Sequence, residues 1–191
     1  MLQRQLAAEN RIIEGAKDEK GKSLAVLLDN IRSAWNVGSI LRSADGFGFA
    51  HVYLCGITPT ADNESVTKTA LGAEHSVPWS YHRDAVELVK ALKTDGWKVY
   101  ALEDDPRSIP LDEALSGEGE FAFHASAERE VIIAGNEITG VDPDLLDLCD
   151  QIVYIPMRGE KKSFNVAIAF GIAAYALRAR KAESEKKSGS P

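Results

Sequence analysis

Three short segments hold the residue types from which a reactive site could be built. In SAWNVGSILRSADGFG (33–48), Asn36, Gly38 and Arg42 stand at the mouth of an amphipathic helix. In AGNEITGVD, Gly135, Asn136, Glu137 and Gly140 directly follow an apolar run. In PMRGEKKSFNVA, Pro156, Gly159, Ser163 and Asn165 lead into a long apolar stretch. A glycine just past a strand lets a ligand approach the backbone or takes a positive φ. A carboxylate at the buried end of a strand needs a partner, which Arg42 or the next helix N-terminus can supply to Glu137. An Asn in the first turn of a helix lies at the positive end of the dipole, where an anion or electron-rich ligand edge can be held. Taken singly, each segment also admits a plainer reading. The first is a cap and turn, the second a tight turn capped by Asn136 and Gly140, and the third a helix capped by Ser163.

Other constellations are absent. No G-x-G-x-x-G follows the first strand and no G-x-x-x-x-G-K-[ST] occurs, so dinucleotide and P-loop readings lack their phosphate cradle. His51, His75, His82 and His124 have no metal-ligand spacing, and no metal is expected. No G-x-S-x-G elbow is present.

The elements that must position these residues alternate. Apolar runs at 23–29, 51–56, 97–103, 131–135 and 151–157 read as strands, and 76–81 as an extended piece. Helical patterns fall at 2–20, in the 33–48 segment, and at 64–72 with a stop at Gly72. Others fall at 84–95 behind an acidic cap, near 111–115, at 142–149 with Pro143 in the first turn, and at 163–183. The last residues, SEKKSGSP, read as disordered. Strands apolar along most of their length and separated by helices argue for an α/β fold, a parallel sheet covered on both faces. In such a sheet ligands bind beyond the carboxyl ends of the strands. The three segments follow strands there, as does the EDDP segment after the 97–103 run.

Composition narrows the class. Hydrophobic residues make up 45% and charged residues 27%, the balance of a soluble globular chain. The two cysteines, Cys55 and Cys149, argue against a disulfide framework and for a reducing cytoplasm. The start of the chain has no continuous apolar region and is not a signal peptide. FNVAIAFGIAAYAL is too short to span a membrane and suits a buried helix or a subunit contact. The net charge of −7 is uneven. Residues 101–150 carry 2 basic and 14 acidic side chains, whereas 151–191 carry 8 basic and 3 acidic. A phosphate-binding face built from RGEKK (158–162) and the tail is therefore compatible with the overall acidity, as is a merely solvated surface.

Read together and in order, the three segments resemble the SpoU/TrmH family of RNA ribose methyltransferases, over about residues 23–177. The matching residues are Asn36-x-Gly38-x-x-x-Arg42, Gly135-Asn136-Glu137-x-x-Gly140, and Pro156-Met157 followed by Ser163-x-Asn165-Val166. The resemblance implies an α/β domain whose C-terminal part is tied in a deep trefoil knot (the SPOUT, or α/β-knot, fold). It implies bent S-adenosylmethionine held by Leu102, Glu103, Gly135, Asn136, Glu137, Gly140, Ile155, Met157, Ser163, Asn165 and Val166. It implies methyl transfer to a ribose 2′-hydroxyl of tRNA or rRNA, with tRNA slightly favoured. It implies Arg42, Asn36, Ser163, Asn165 and Glu137 as the catalytic set, with Glu137 tying its loop to Arg42. An arginine is an awkward base, so Arg42 is read as binding the RNA phosphate or the developing 2′-oxyanion.

The resemblance further implies a homodimer, with the site at the subunit boundary and helix 164–177 and the first-motif helix as contact surfaces. The domains expected are an N-terminal helical extension (1–22), a methyltransferase domain (23–177) and a basic, disordered tail (178–191). Two departures stand out. Phe164 replaces a common Leu, and residues 1–22 are not expected to form the separate N-terminal RNA-binding domain of several relatives, so substrate choice is expected to rest on the ends and the dimer surface. The alternatives are a non-catalytic RNA-binding protein of the same fold and an unrelated α/β protein that matches by chance.

Overall fold

The computed structural model describes residues 23–116 and 128–188. The helix expected over 2–20 lies outside them. Seven strands form one sheet: β1 (Ser23–Asp29), β2 (His51–Cys55), β3 (Trp79–His82), β4 (Lys98–Leu102), β5 (Ile109–Pro110), β6 (Arg129–Ala134) and β7 (Gln151–Tyr154). Their order is β3-β2-β1-β6-β4-β7-β5, and every pairing is parallel. All seven residues of β1 are buried, as a central parallel strand covered on both faces requires.

Helices cover both faces. They are α1 (Ala34–Gly46), α2 (Glu64–Ala70), α3 (Ala73–Ser76), α4 (Ala85–Thr94), α5 (Leu111–Leu115), α6 (Pro143–Leu146) and α7 (Val166–Ser188). Alternation along β1 divides the core. Leu24, Val26 and Leu28 pack towards α1, α2 and α7, while Ala25 and Leu27 pack towards α4 and α6. Phe49 and Phe170 meet edge-to-face at 5.2 Å and join α7 to the first core.

The helix that carries the first motif is held along its whole length. The Ser33 side chain caps it by accepting from the Asn36 N–H. Val37, Ile40, Leu41 and Ala44 are its buried face. Phe47 lies just past the end, half-buried against Tyr175. At that end the Arg178 guanidinium of α7 donates to the carbonyls of Phe47 and Gly48. A cation at the negative end of the helix is favourable there. Gly38 is set by packing: a Cβ would run into the Thr69 hydroxyl and stand 2.5 Å from the Val66 carbonyl oxygen. Only a glycine lets α1 and α2 approach so closely.

Three boundaries differ from the sequence expectation. Helix α2 stops at Ala70, because Leu71 itself takes the left-handed conformation (φ 52°) ahead of Gly72. Helix α7 starts at Val166, not at Ser163, because the Asn165 side chain accepts from the Ala167 N–H and caps it. Residues 184–188, expected to be disordered, continue α7.

A Gly38→Ala substitution is expected to cost about 2 kcal/mol, as overpacking does. Gly46→Ala, in the same helix with nothing near its Cβ position, is expected to be neutral or slightly stabilising. Thermal unfolding of the two variants measures the contrast.

Candidate active site

The chain leaves β6 at Ala134 and turns back on itself through Gly135–Gly140. Asn136 and Gly140 exchange backbone hydrogen bonds of 3.0 and 2.9 Å. The Asn136 Oδ1 accepts from the Ile138 and Thr139 amides, and its Nδ2 donates to the Asn30 carbonyl at 2.7 Å. Asn136 thus closes the loop from inside and ties it to the end of β1. Gly140 has φ 74°, and a Cβ there would meet the Glu103 carboxylate. That carboxylate accepts from the Val141 amide at 2.9 Å. At Gly135 a Cβ would collide with the backbone of Gly140 and Val141. Asp29, fully buried at the end of β1, receives the Asp142 amide at 2.9 Å and the Asn30 side chain at 2.8 Å. Burial pushes its carboxyl up from the ordinary range, against those hydrogen bonds.

The loop presents Glu137 to the start of α1. Its Oε2 accepts from the Arg32 amide at 3.0 Å. Its Oε1 accepts from the Ser33 amide at 3.0 Å and the Asn36 Nδ2 at 2.8 Å. The Asn36 Oδ1 in turn accepts from the Asn165 Nδ2 at 3.1 Å. One network therefore joins all three motif segments, the first of them 101 and 129 residues from its partners in the other two. Partial desolvation works against the Glu137 charge. The Arg32 amide, the Asn36 side chain and the Ser33 amide outweigh it and hold the carboxyl below its ordinary range.

Glu137 does not tie its loop to Arg42. Arg42 lies six residues beyond Asn36, about 240° round the helix and about 9 Å along it. It is exposed and makes no hydrogen bond or ion pair among the described residues. It opens instead on a groove between α1 and α2.

Beyond the ends of β4, β6 and β7 lies a cavity of about 730 Å³. Every position that the resemblance marks for a cofactor lines it: Leu102 and Glu103, the loop residues Gly135, Asn136, Glu137 and Gly140, and Ile155, Met157, Ser163, Asn165 and Val166. Asp104, Ile138, Tyr154, Glu160, Lys161 and Lys162 also line it. No motif marks them for the cofactor, although Tyr154 closes β7, Asp104 and Ile138 lie in loops after strands, and the other three sit in the RGEKK segment. Among the described residues no group of His, Cys, Asp or Glu is arranged to hold a metal, and no helix is long and apolar enough to cross a membrane. Neither Cys55 nor Cys149 is in a disulfide, and burial pushes the Cys149 thiol up to about 12.

Because the folded Glu137 carboxyl lies below its unfolded value of about 4.3, its contribution to stability is complete above that value. It is lost as pH falls through the folded value. Glu137→Gln is expected to lower stability at pH 7 by roughly 1 kcal/mol, a modest figure for an exposed carboxylate. The gap to the wild type should close towards pH 3 in urea unfolding.

Comparisons with known proteins agree with this geometry. The SpoU rRNA Methylase family matches residues 23–175. The 23S rRNA (guanosine(2553)-2′-O)-methyltransferase RlmP of Bacillus subtilis is 32% identical over 153 residues, which are 80% of this chain and 57% of that protein. The first curated relatives are all longer, and the chain spans 57% to 64% of the length of the first four. The TrmH/SpoU tRNA modifying enzyme of A. aeolicus superposes with a TM-score of 0.74 at 23% identity, covering 98% of this chain and 87% of that one. The AdoMet bound rRNA methyltransferase from Sinorhizobium meliloti gives 0.73 at 24% identity, covering 82% and 56%. These two likenesses establish the fold, and the fold family implies a trefoil knot. A match that runs from the first residue of β1 well into α7, on a sheet of the same fold, makes the chain a member of the SpoU rRNA Methylase family.

Proposed function

We propose that the chain transfers a methyl group from S-adenosylmethionine to a ribose 2′-hydroxyl of tRNA or rRNA, working as a cytoplasmic homodimer. The observation that carries this reading is the Glu137–Asn36–Asn165 network at the edge of the cavity. The RNA 2′-O-methyltransferase relatives support the reaction class.

The cavity fits the cofactor. Its volume lies within the range of small-molecule sites. Gly135 and Gly140 keep its wall at backbone thickness. Glu103, Asp104, Glu137 and Glu160 outnumber Lys161 and Lys162 in its lining, which favours a cation. The cofactor supplies a methyl group on a positively charged sulfur. Leu102, Gly135, Ile155 and Met157 would hold it by backbone and apolar contact. Asn165 and Ser163, at the entrance to α7, would orient the nucleotide, and Asn36 would fix Asn165 through the 3.1 Å bond. Holding the hydroxyl in line with the methyl is a large part of such catalysis. An arginine keeps its proton in proteins, so Arg42 serves charge: it binds the RNA phosphate or the developing 2′-oxyanion.

The homodimer reading rests on α7 and its approach. Phe164, Ile168, Ile172 and Tyr175 form an exposed apolar stripe at helical spacing, with Ile168 56% and Tyr175 65% exposed. Phe47 packs on Tyr175 and brings the end of α1 to the same face. Residues 23–177 form the catalytic domain in this reading. Two cysteines outside any disulfide accord with a reducing compartment.

Tritiated methyl transfer onto fractionated tRNA and rRNA, followed by mapping, is expected to give a 2′-O-methyl nucleotide. Transfer to a base, or none with calorimetry showing no cofactor binding, overturns the reading. Arg42→Ala is expected to lower transfer by at least about 100-fold while leaving S-adenosylmethionine affinity within about twofold. Equal loss of both would make Arg42 structural. Ile168→Glu with Ile172→Glu is expected to shift the sedimenting species from dimer to monomer.

A further inference from the structure

A second concave site lies between α1 and α2, with a volume of about 640 Å³. Its charged lining differs from that of the main cavity. It includes Arg42 and Lys68 and no carboxylate, whereas the main cavity mixes Glu103, Asp104, Glu137 and Glu160 with Lys161 and Lys162. Ser39, Arg42 and Ser43 stand at i, i+3 and i+4, on one face of α1. The Ser39 and Ser43 hydroxyls make no hydrogen bond among the described residues, so both remain able to donate. Lys68 faces them from α2. Its present partner is Glu64 at 2.9 Å, in a pair whose side chains are 65% and 85% exposed. Such a pair is weak and is readily exchanged for a phosphate.

The spacing of the two walls is fixed. Gly38 seats α1 against the backbone of Val66 and Ala70, and the Thr69 hydroxyl lies within reach of the carbonyls of Trp35 and Val66. Two cations and two free hydroxyls therefore face one groove on a rigid helix pair. That is the donor set of a phosphodiester site: charge for the phosphate, hydroxyls for its oxygens.

We propose that the α1–α2 groove is a backbone subsite for the RNA, holding a phosphodiester between Arg42 and Lys68. The proposal rests on the reading of the chain as an RNA methyltransferase. It assigns Lys68, which no motif marks, to RNA binding.

Phosphate contacts are independent of sequence, so bulk tRNA is a suitable probe whatever the true substrate. Binding of fluorescent bulk tRNA would be followed against salt for wild type, Lys68→Ala and Lys90→Ala. Lys90 is a matched control, a surface lysine paired with Glu87 at 3.0 Å on the far helix α4. Each lost phosphate contact should flatten the plot of log affinity against log salt by about 0.7 to 0.9. Lys68→Ala is expected to show that loss with S-adenosylmethionine affinity unchanged, and Lys90→Ala to show none. An unchanged slope for Lys68→Ala, the same loss for Lys90→Ala, or no tRNA binding by wild type overturns the proposal. Methyl transfer by wild type with an unchanged Lys68→Ala slope would remove the groove alone. A lost slope without any methyl transfer would remove the catalytic reading and leave the groove.

Discussion

The site depends on a carboxylate received at the start of a helix. Glu137 leaves a loop after β6 and accepts two backbone amides and one side-chain amide at the entrance to α1. A negative charge is favoured at that end of a helix, where amides lack partners. The bond does more than cap. It fixes the first motif, near residue 36, to the second, near residue 137, and Asn165 extends it to the third. At the other end of α1, Arg178 of α7 holds the last carbonyls. The first-motif helix is a strut pinned at both ends by the C-terminal half of the chain, so its side chains are presented from a rigid element.

Charge divides the surface in the same way. The chain carries −7 overall, which by itself speaks against an RNA partner. The carboxylates concentrate in residues 101–150, and several of them line or build the cavity, where a cationic ligand is welcome. Two cations, Arg42 and Lys68, stand apart from it on α1 and α2, while Lys161 and Lys162 line the cavity beside the carboxylates. Where charges stand matters more here than how they sum.

The strands were legible because central parallel strands are buried on both faces and read as apolar runs; β1 is the clearest case. The three site segments were legible because each follows a strand end. What the sequence left hidden is local and physical. Gly38 looked like part of a helix mouth, but its reason is the closeness of α2, a tertiary contact. Ser163 and Asn165 are both good caps, and only the hydrogen bond to Ala167 decides for Asn165. Arg42 was paired with Glu137 on charge alone, whereas helical geometry turns it about 240° away from Asn36. The end of α2 escaped because Leu71 takes a left-handed conformation ahead of the glycine. The helical continuation to Ser188 was hidden by a polar composition that disordered tails share.

The account stands on the three motif segments forming one bonded unit. A double-mutant cycle of Asn36→Ala and Glu137→Gln, read by urea unfolding at pH 7, measures that directly. The account predicts a coupling of about 1 kcal/mol, the two losses together costing less than their sum. Additive losses would mean that the two side chains act independently, and would contradict the network on which the site is built.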